Sequence, residues 1–142
     1  MRDLYNTLGA AVVIPAATYA ADNTPAAVDL LGFEGAVLLI EVGAGGITFD
    51  ATNKVEFKLT HSVDNVTYDN VADKDLTGIT GITGGIVKSL IAAHATADVT
   101  KIGYRGGRRY LKCLADFSGT HGTGTPISVL VVKGGSRFSP PA

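Results

Sequence analysis

The sequence predicts an all-β domain, a single antiparallel β-sandwich or compact barrel with extended terminal arms, and three observations carry that expectation. Its apolar residues fall in short runs of strand length bounded by turn residues. One run, Lys54 to Thr60, alternates without fault, and no segment shows the helical pattern that a parallel α/β fold requires. Glycine supplies 18 of the 142 residues and tryptophan none, which suits many tight connections between strands. A chain of this length forms one core that buries roughly 70% of its unfolded surface.

Residues 1–26 read as an extended N-terminal arm. Pro15 and Pro25 disfavour a central strand, so the apolar run Ala10 to Ile14 is expected to lie along a surface or add to an edge. Residues 27–134 form the sandwich. Val28 to Leu30 is a short strand closed by Gly32, and Gly35 to Val42 is apolar at both parities, as a central strand buried on both faces would be. In Lys54 to Thr60, Val55, Phe57 and Leu59 share one face while Lys54, Glu56, Lys58 and Thr60 share the other. Asp64-Asn65 offers a tight turn into Val66 to Val71, which makes a hairpin. The segment 72–99 is rich in loops. Within it Thr77 to Gly85 pins Ile79 and Ile82 to the body, and the β-branched Ile86 and Val87 favour a strand to Ile91.

The clearest turn signal is Gly106-Gly107, inside Ile102 to Leu114. Paired glycines tolerate positive φ, so a hairpin is expected there that presents Arg105, Arg108 and Arg109 together. Tyr110 to Phe117 and Ile127 to Lys133 are the last two strands, apolar at both parities and therefore central. Residues 135–142 form a C-terminal tail in which Pro140 and Pro141 stop any ladder.

The net charge of −1 conceals an asymmetry. Residues 1–75 carry four Lys/Arg and eleven Asp/Glu, whereas residues 76–142 carry eight and two. Halves on different faces would make a dipolar molecule that meets copies of itself or a charged scaffold; interleaved strands would mix the charges. The domain as a whole is not basic, so no direct nucleic-acid partner is expected. Arg105 to Arg109 with Tyr104 and Tyr110 could stack on bases, but hairpin arginines pair equally well with carboxylates of a neighbouring subunit. The single Cys113 sits in an apolar strand and reads as core. The run Leu8 to Ala21 is preceded by Asp3 and broken by Pro15, unlike a signal peptide, and no run approaches the roughly 20 apolar residues of a membrane span.

Chemistry-bearing constellations are sparse. His61, His94 and His121 lie far apart and fit no metal-ligand spacing. Gly81 to Ser89 resembles a phosphate-binding loop, yet Val87 stands where glycine must precede the lysine, and Gly43, Gly45 and Gly46 fail the dinucleotide spacing. Ser118 and Ser128 lack a nucleophile-elbow context. The expectation is a non-enzymatic protein without metal or cofactor. A carbohydrate-binding sandwich using Tyr19, Tyr68 and Tyr104 is the alternative of another class, weakened by the lack of tryptophan.

Several segments, in order along the chain, resemble small structural proteins of tailed bacteriophages and prophages encoded beside the major capsid protein. They are Met-Arg-Asp-Leu-Tyr at the start, Asp29-Leu-Leu-Gly-Phe33, Ser62-Val-Asp64 with Thr67-Tyr68, Gly103-Tyr-Arg-Gly-Gly-Arg-Arg-Tyr110, and Arg137-Phe138 after the final strand. The resemblance implies a capsid decoration or cement protein made in the host cytoplasm and placed on the virion's outer surface, with the major capsid protein as partner. It also implies self-association, for which a trimer is one arrangement. A head–tail connector or tail component is the alternative within the virion. Partner contacts are expected from Met1, Arg2, Asp3, Leu4, Tyr5, Val12 and Ile14, from Arg105, Arg108 and Arg109, and from Arg137 and Phe138.

Overall fold

The computed structural model describes residues 3–137. In chain order its strands are β1 (Gly9–Tyr19), β2 (Val28–Asp29), β3 (Gly35–Val42), β4 (Lys54–Ser62), β5 (Asp69–Asn70), β6 (Leu76–Thr77), β7 (Ile86–Leu90), β8 (Asp98–Tyr104), β9 (Tyr110–Ser118) and β10 (Thr125–Gly134). Short 3-10 turns occupy Tyr5–Thr7 and Asp73–Asp75. Sheet A runs β1-β10-β3-β8-β6, and sheet B runs β2-β9-β4, with β5 and β7 sharing the far side of β4. Both sheets are antiparallel and open, so the fold is a β-sandwich and not a closed barrel.

The core follows from alternation. Leu38, Ile40 and Val42 of β3, Val129 and Val131 of β10 and Ile102 of β8 face Val55, Phe57 and Leu59 of β4 and Leu111, Cys113 and Ala115 of β9, and all are buried. Each large apolar side chain removed from water in this way contributes about 1.5–3 kcal/mol. Burial pushes the Cys113 thiol up to about 12, which leaves it a small apolar filler and not a nucleophile.

Every connection except β4–β5 passes from one sheet to the other. Strands from the acidic and basic halves therefore interleave: β10 lies between β1 and β3, and β9 between β2 and β4. Ion pairs Lys58–Asp116, Arg108–Asp69 and Arg109–Asp29 join the halves, so their charges interleave.

The same topology corrects the expected Gly106-Gly107 hairpin. β8 belongs to sheet A and β9 to sheet B, so the two glycines turn a corner between sheets. Tyr104 folds back over this corner. A Cβ on Gly106 would sit 2.7 Å from the Tyr104 hydroxyl, and Gly107 has φ +72°, so both positions need glycine for reasons other than a hairpin turn. The Tyr104 hydroxyl accepts the Arg108 amide proton at 3.2 Å and is hydrogen-bonded to His61 Nδ1 at 2.8 Å, tying β4 to the corner. The Asp64-Asn65 turn is present, with Asn65 at φ +60°, but its returning strand is only β5, because Val66 and Thr67 remain in the loop. Asp64 holds that loop by accepting the amide protons of Val66 and Thr67, which keeps its carboxyl down at about 2. The strand expected at 86–91 is β7, and Ile79 and Ile82 pack on the core as expected.

The N-terminal segment is only in part an arm. Over Gly9–Tyr19 it is the edge strand of sheet A, paired with β10 from Gly9↔Lys133 to Tyr19↔Thr125. Pro15 is accommodated because the register shifts on both sides of Ile14, and an edge strand does not need the missing N–H. The chain then crosses to sheet B. There Asn23 accepts the Ala115 amide proton at 2.7 Å and donates to the Cys113 carbonyl at 3.2 Å, lining the free edge of β9 as a strand would.

The corner makes stability depend on pH. Burial, and next the Arg108 guanidinium, hold the His61 imidazole below its ordinary 6.5, against the smaller opposing pull of Asp75 and Asp69. The unfolded chain then binds the proton more readily than the folded one. Stability is complete above about pH 6.5 and is lost as pH falls from there toward the lowered value. Urea midpoints should therefore drop between about pH 7.5 and pH 5, and a His61→Phe variant should lose that dependence.

Candidate protein–protein interface

The two outer faces of the sandwich differ in kind. On sheet B the outward positions include Lys54, Glu56, Lys58 and Thr60 of β4 and Lys112 and Asp116 of β9. Lys54 pairs with Glu56 at 2.9 Å and Lys58 with Asp116 at 2.5 Å, so this face carries its own counter-charges and is a solvated surface. On sheet A the register places a different set outward: Ala10 and Val12 of β1, Leu130 and Val132 of β10, Val37 and Leu39 of β3, and Val99 of β8. Two charged positions share that side: Lys101 lies across the ladder from Leu39 and Glu41 across from Val99, so they set Val99 apart from the other apolar residues.

This apolar field is solvent-facing. Val12 is 57% exposed, and Leu130 and Val99 are also exposed, while Val37, Leu39 and Val132 are half-buried. A contiguous apolar sheet face of this kind marks a surface that binds something.

Beside it, residues 3–8 form a hook. Asp3 caps the Tyr5–Thr7 turn by accepting from the Asn6 backbone N–H and side-chain amide, and the Thr7 hydroxyl is within reach of the Asp3 and Leu4 carbonyls. Those bonds fix the backbone while Leu4 points to solvent and Tyr5 is 90% exposed. Together with Leu8 and Val132 they line a groove of about 560 Å³ against the sheet. Two apolar side chains held out from a body with a formed core have the arrangement of contact residues.

The expected contact residues separate accordingly. Leu4, Tyr5 and Val12 lie on this surface, and Asp3 shapes it. Ile14 does not: it is 0% exposed and faces the core, because the shift between Val12 and Ile14 brings it inward opposite Val129. The arginines are spoken for within the chain. Arg109 clamps Asp29 at 2.9 and 2.7 Å, Arg108 reaches Asp69 at 2.5 Å, and Arg105 donates to the Lys74 carbonyl at 3.2 Å. Arg137 is exposed, with its backbone N–H on the Gly32 carbonyl. Met1, Arg2 and Phe138 lie outside the described residues.

Other chemistries fare differently from the apolar face. Among the described residues no three His, Cys, Asp or Glu side chains come together as metal ligands would, and no helix is long and apolar enough to cross a membrane. His94 and His121 both pack on Phe49, with ring centroids 5.6 and 6.4 Å away, and each reaches a backbone carbonyl. The three tyrosines named for sugar binding do not form a platform. Tyr104 is 4% exposed inside the sandwich, Tyr68 lies under the Lys112 ammonium on sheet B, and Tyr19 donates to the Pro15 carbonyl at the end of β1.

Fold and surface thus define an antiparallel β-sandwich with one self-neutralised face and one apolar face. No family model and no curated protein matches the chain. Among solved structures its fold is similar to that of the SPBc2 prophage-derived protein YomS, with a TM-score of 0.50 at 11% identity over 89% of this chain and 91% of that one.

Proposed function

We propose that the chain is a non-enzymatic structural protein of a tailed bacteriophage or prophage particle, of the capsid decoration or cement type. The observation that carries the reading is the apolar outer face of sheet A with its Leu4–Tyr5 hook, a surface suited to docking on protein. The fold shared with a prophage-derived protein supports the phage setting. The mechanism is linkage: a protein that binds only the assembled lattice stabilises that lattice by mass action, by about 2.7 kcal/mol per site at one hundred times its dissociation constant. Docking in this reading uses the outer face of sheet A and the hook of residues 3–8.

Quantitative mass spectrometry of purified particles tests the placement. A copy number comparable to that of the major capsid protein is expected. A few copies per particle would instead assign the chain to a connector or tail and remove the cement reading.

A further inference from the structure

The two outer faces treat their charges differently. On sheet B they are paired within the chain, Lys54 with Glu56 and Lys58 with Asp116. On sheet A, Glu41 makes no ion pair among the described residues. Its carboxylate accepts only from a neutral group, the Ser128 hydroxyl, at 3.1 Å.

This carboxylate stands among the residues that docking would cover. Glu41 follows Leu39 on the outward side of β3, with Ser128 of β10 across the ladder on one side and Val99 of β8 on the other. A body that covers Leu39, Leu130 and Val99 therefore covers Glu41 too. Beside it lies a recess of about 280 Å³, which Glu41 and Ser128 line together with the small residues Ala16, Ala17 and Gly43. The register shift between Ile14 and Ala17 falls at its β1 wall. The volume is at the lower limit of the roughly 300–1,000 Å³ of small-molecule sites, which suits a single side chain.

Glu41 is exposed in the free chain, so its charge is solvated there. Docking removes that water, and an unpaired carboxylate taken out of water strongly opposes association. The side chain is short and tied to the buried Ser128, which keeps its charge inside the contact. Lys101, the other charge on this side, has a long stem that can carry its ammonium clear.

We infer that docking seats a basic side chain of the lattice protein in this recess, with its ammonium or guanidinium against the Glu41 carboxylate. A charge-assisted bond then replaces the water that Glu41 loses, and the small walls receive the aliphatic stem. Glu41 selects the partner by the same means. An apolar surface without a cation at that point leaves the carboxylate buried and unpaired, and is rejected. The inference rests on the reading of this face as a docking surface.

Co-sedimentation with particles lacking the protein tests it, with thermal melts as the folding control. Glu41→Gln keeps the shape and an oxygen for Ser128 but removes the charge. It should raise the dissociation constant at least about tenfold, and Glu41→Lys should raise it further, while both melts stay close to the parent's. A neutral donor on the partner would accept glutamine equally well, so this loss reads the charge. A smaller loss for Glu41→Gln would overturn the inference, because Glu41 then stays solvated at the contact. Tighter binding would overturn it too, because Glu41 is then buried without a cation. If Leu39→Glu with Leu130→Glu loses binding while Glu41→Gln keeps it, the docking reading stands and this inference falls. If none of these variants loses binding, both fall.

Discussion

Ile14→Asp should leave the protein without a cooperative thermal transition. Ile14 is fully buried opposite Val129, in the strand that closes one edge of sheet A. Removing a buried isoleucine costs about 2–5 kcal/mol. Burying an unpaired carboxylate adds several more, and together these approach the whole stability of about 5–15 kcal/mol that a domain possesses. Removing residues 3–8 should leave the melt nearly unchanged, because Leu4 and Tyr5 make no part of the core. Circular dichroism against temperature reads both. An Ile14→Asp protein that melts cooperatively within a few degrees of the parent would mean that residues 9–19 are a detachable arm after all.

The paired variant Leu39→Glu with Leu130→Glu should fold normally and lose particle binding by more than 100-fold. Both side chains point outward, so the isolated chain pays little. In the docked state two apolar anchors, each contributing about 1.5–3 kcal/mol, are replaced by carboxylates that must be desolvated. Leu114→Glu, a change of the same kind on the outer side of sheet B, should leave binding unaltered. Co-sedimentation with particles lacking the protein measures the three side by side. Loss of binding in Leu114→Glu alone would assign the docking surface to the other sheet.

Local patterns in the sequence were informative wherever a strand's neighbours did not matter. The alternation of Lys54 to Thr60 reads directly as β4, and the β-branched pair Ile86-Val87 as β7. The Gly106-Gly107 corner was not legible, since two apolar runs around a glycine pair look the same whether they join one sheet or two. What decides it is distant: Tyr104 reaches His61 of β4, and Arg109 reaches Asp29 of β2. Pro15 pointed away from a central strand and β1 is an edge strand, but its full length over Gly9–Tyr19 and its register shifts were not legible, because they depend on pairing with the distant β10.

The docking face was half visible. Val12, Leu4 and Tyr5 stand out as apolar residues near a terminus, but Leu39 and Leu130 were absorbed into strands taken as buried on both faces. The signal was present in those same runs. A two-sheet sandwich covers only one face of each sheet, and among the described residues no α-helix covers the other. A strand apolar at both parities in such a chain therefore predicts an exposed apolar face.

Lysine cross-linking on intact particles, read by mass spectrometry, tests the central claim most directly. Lys101 borders the apolar face of sheet A, whereas Lys54, Lys58 and Lys112 lie on sheet B. The account predicts cross-links from Lys101 into another polypeptide, with Lys54, Lys58 and Lys112 modified only as solvent-facing amines. Cross-links leaving from Lys54, Lys58 and Lys112 while Lys101 forms none would contradict it.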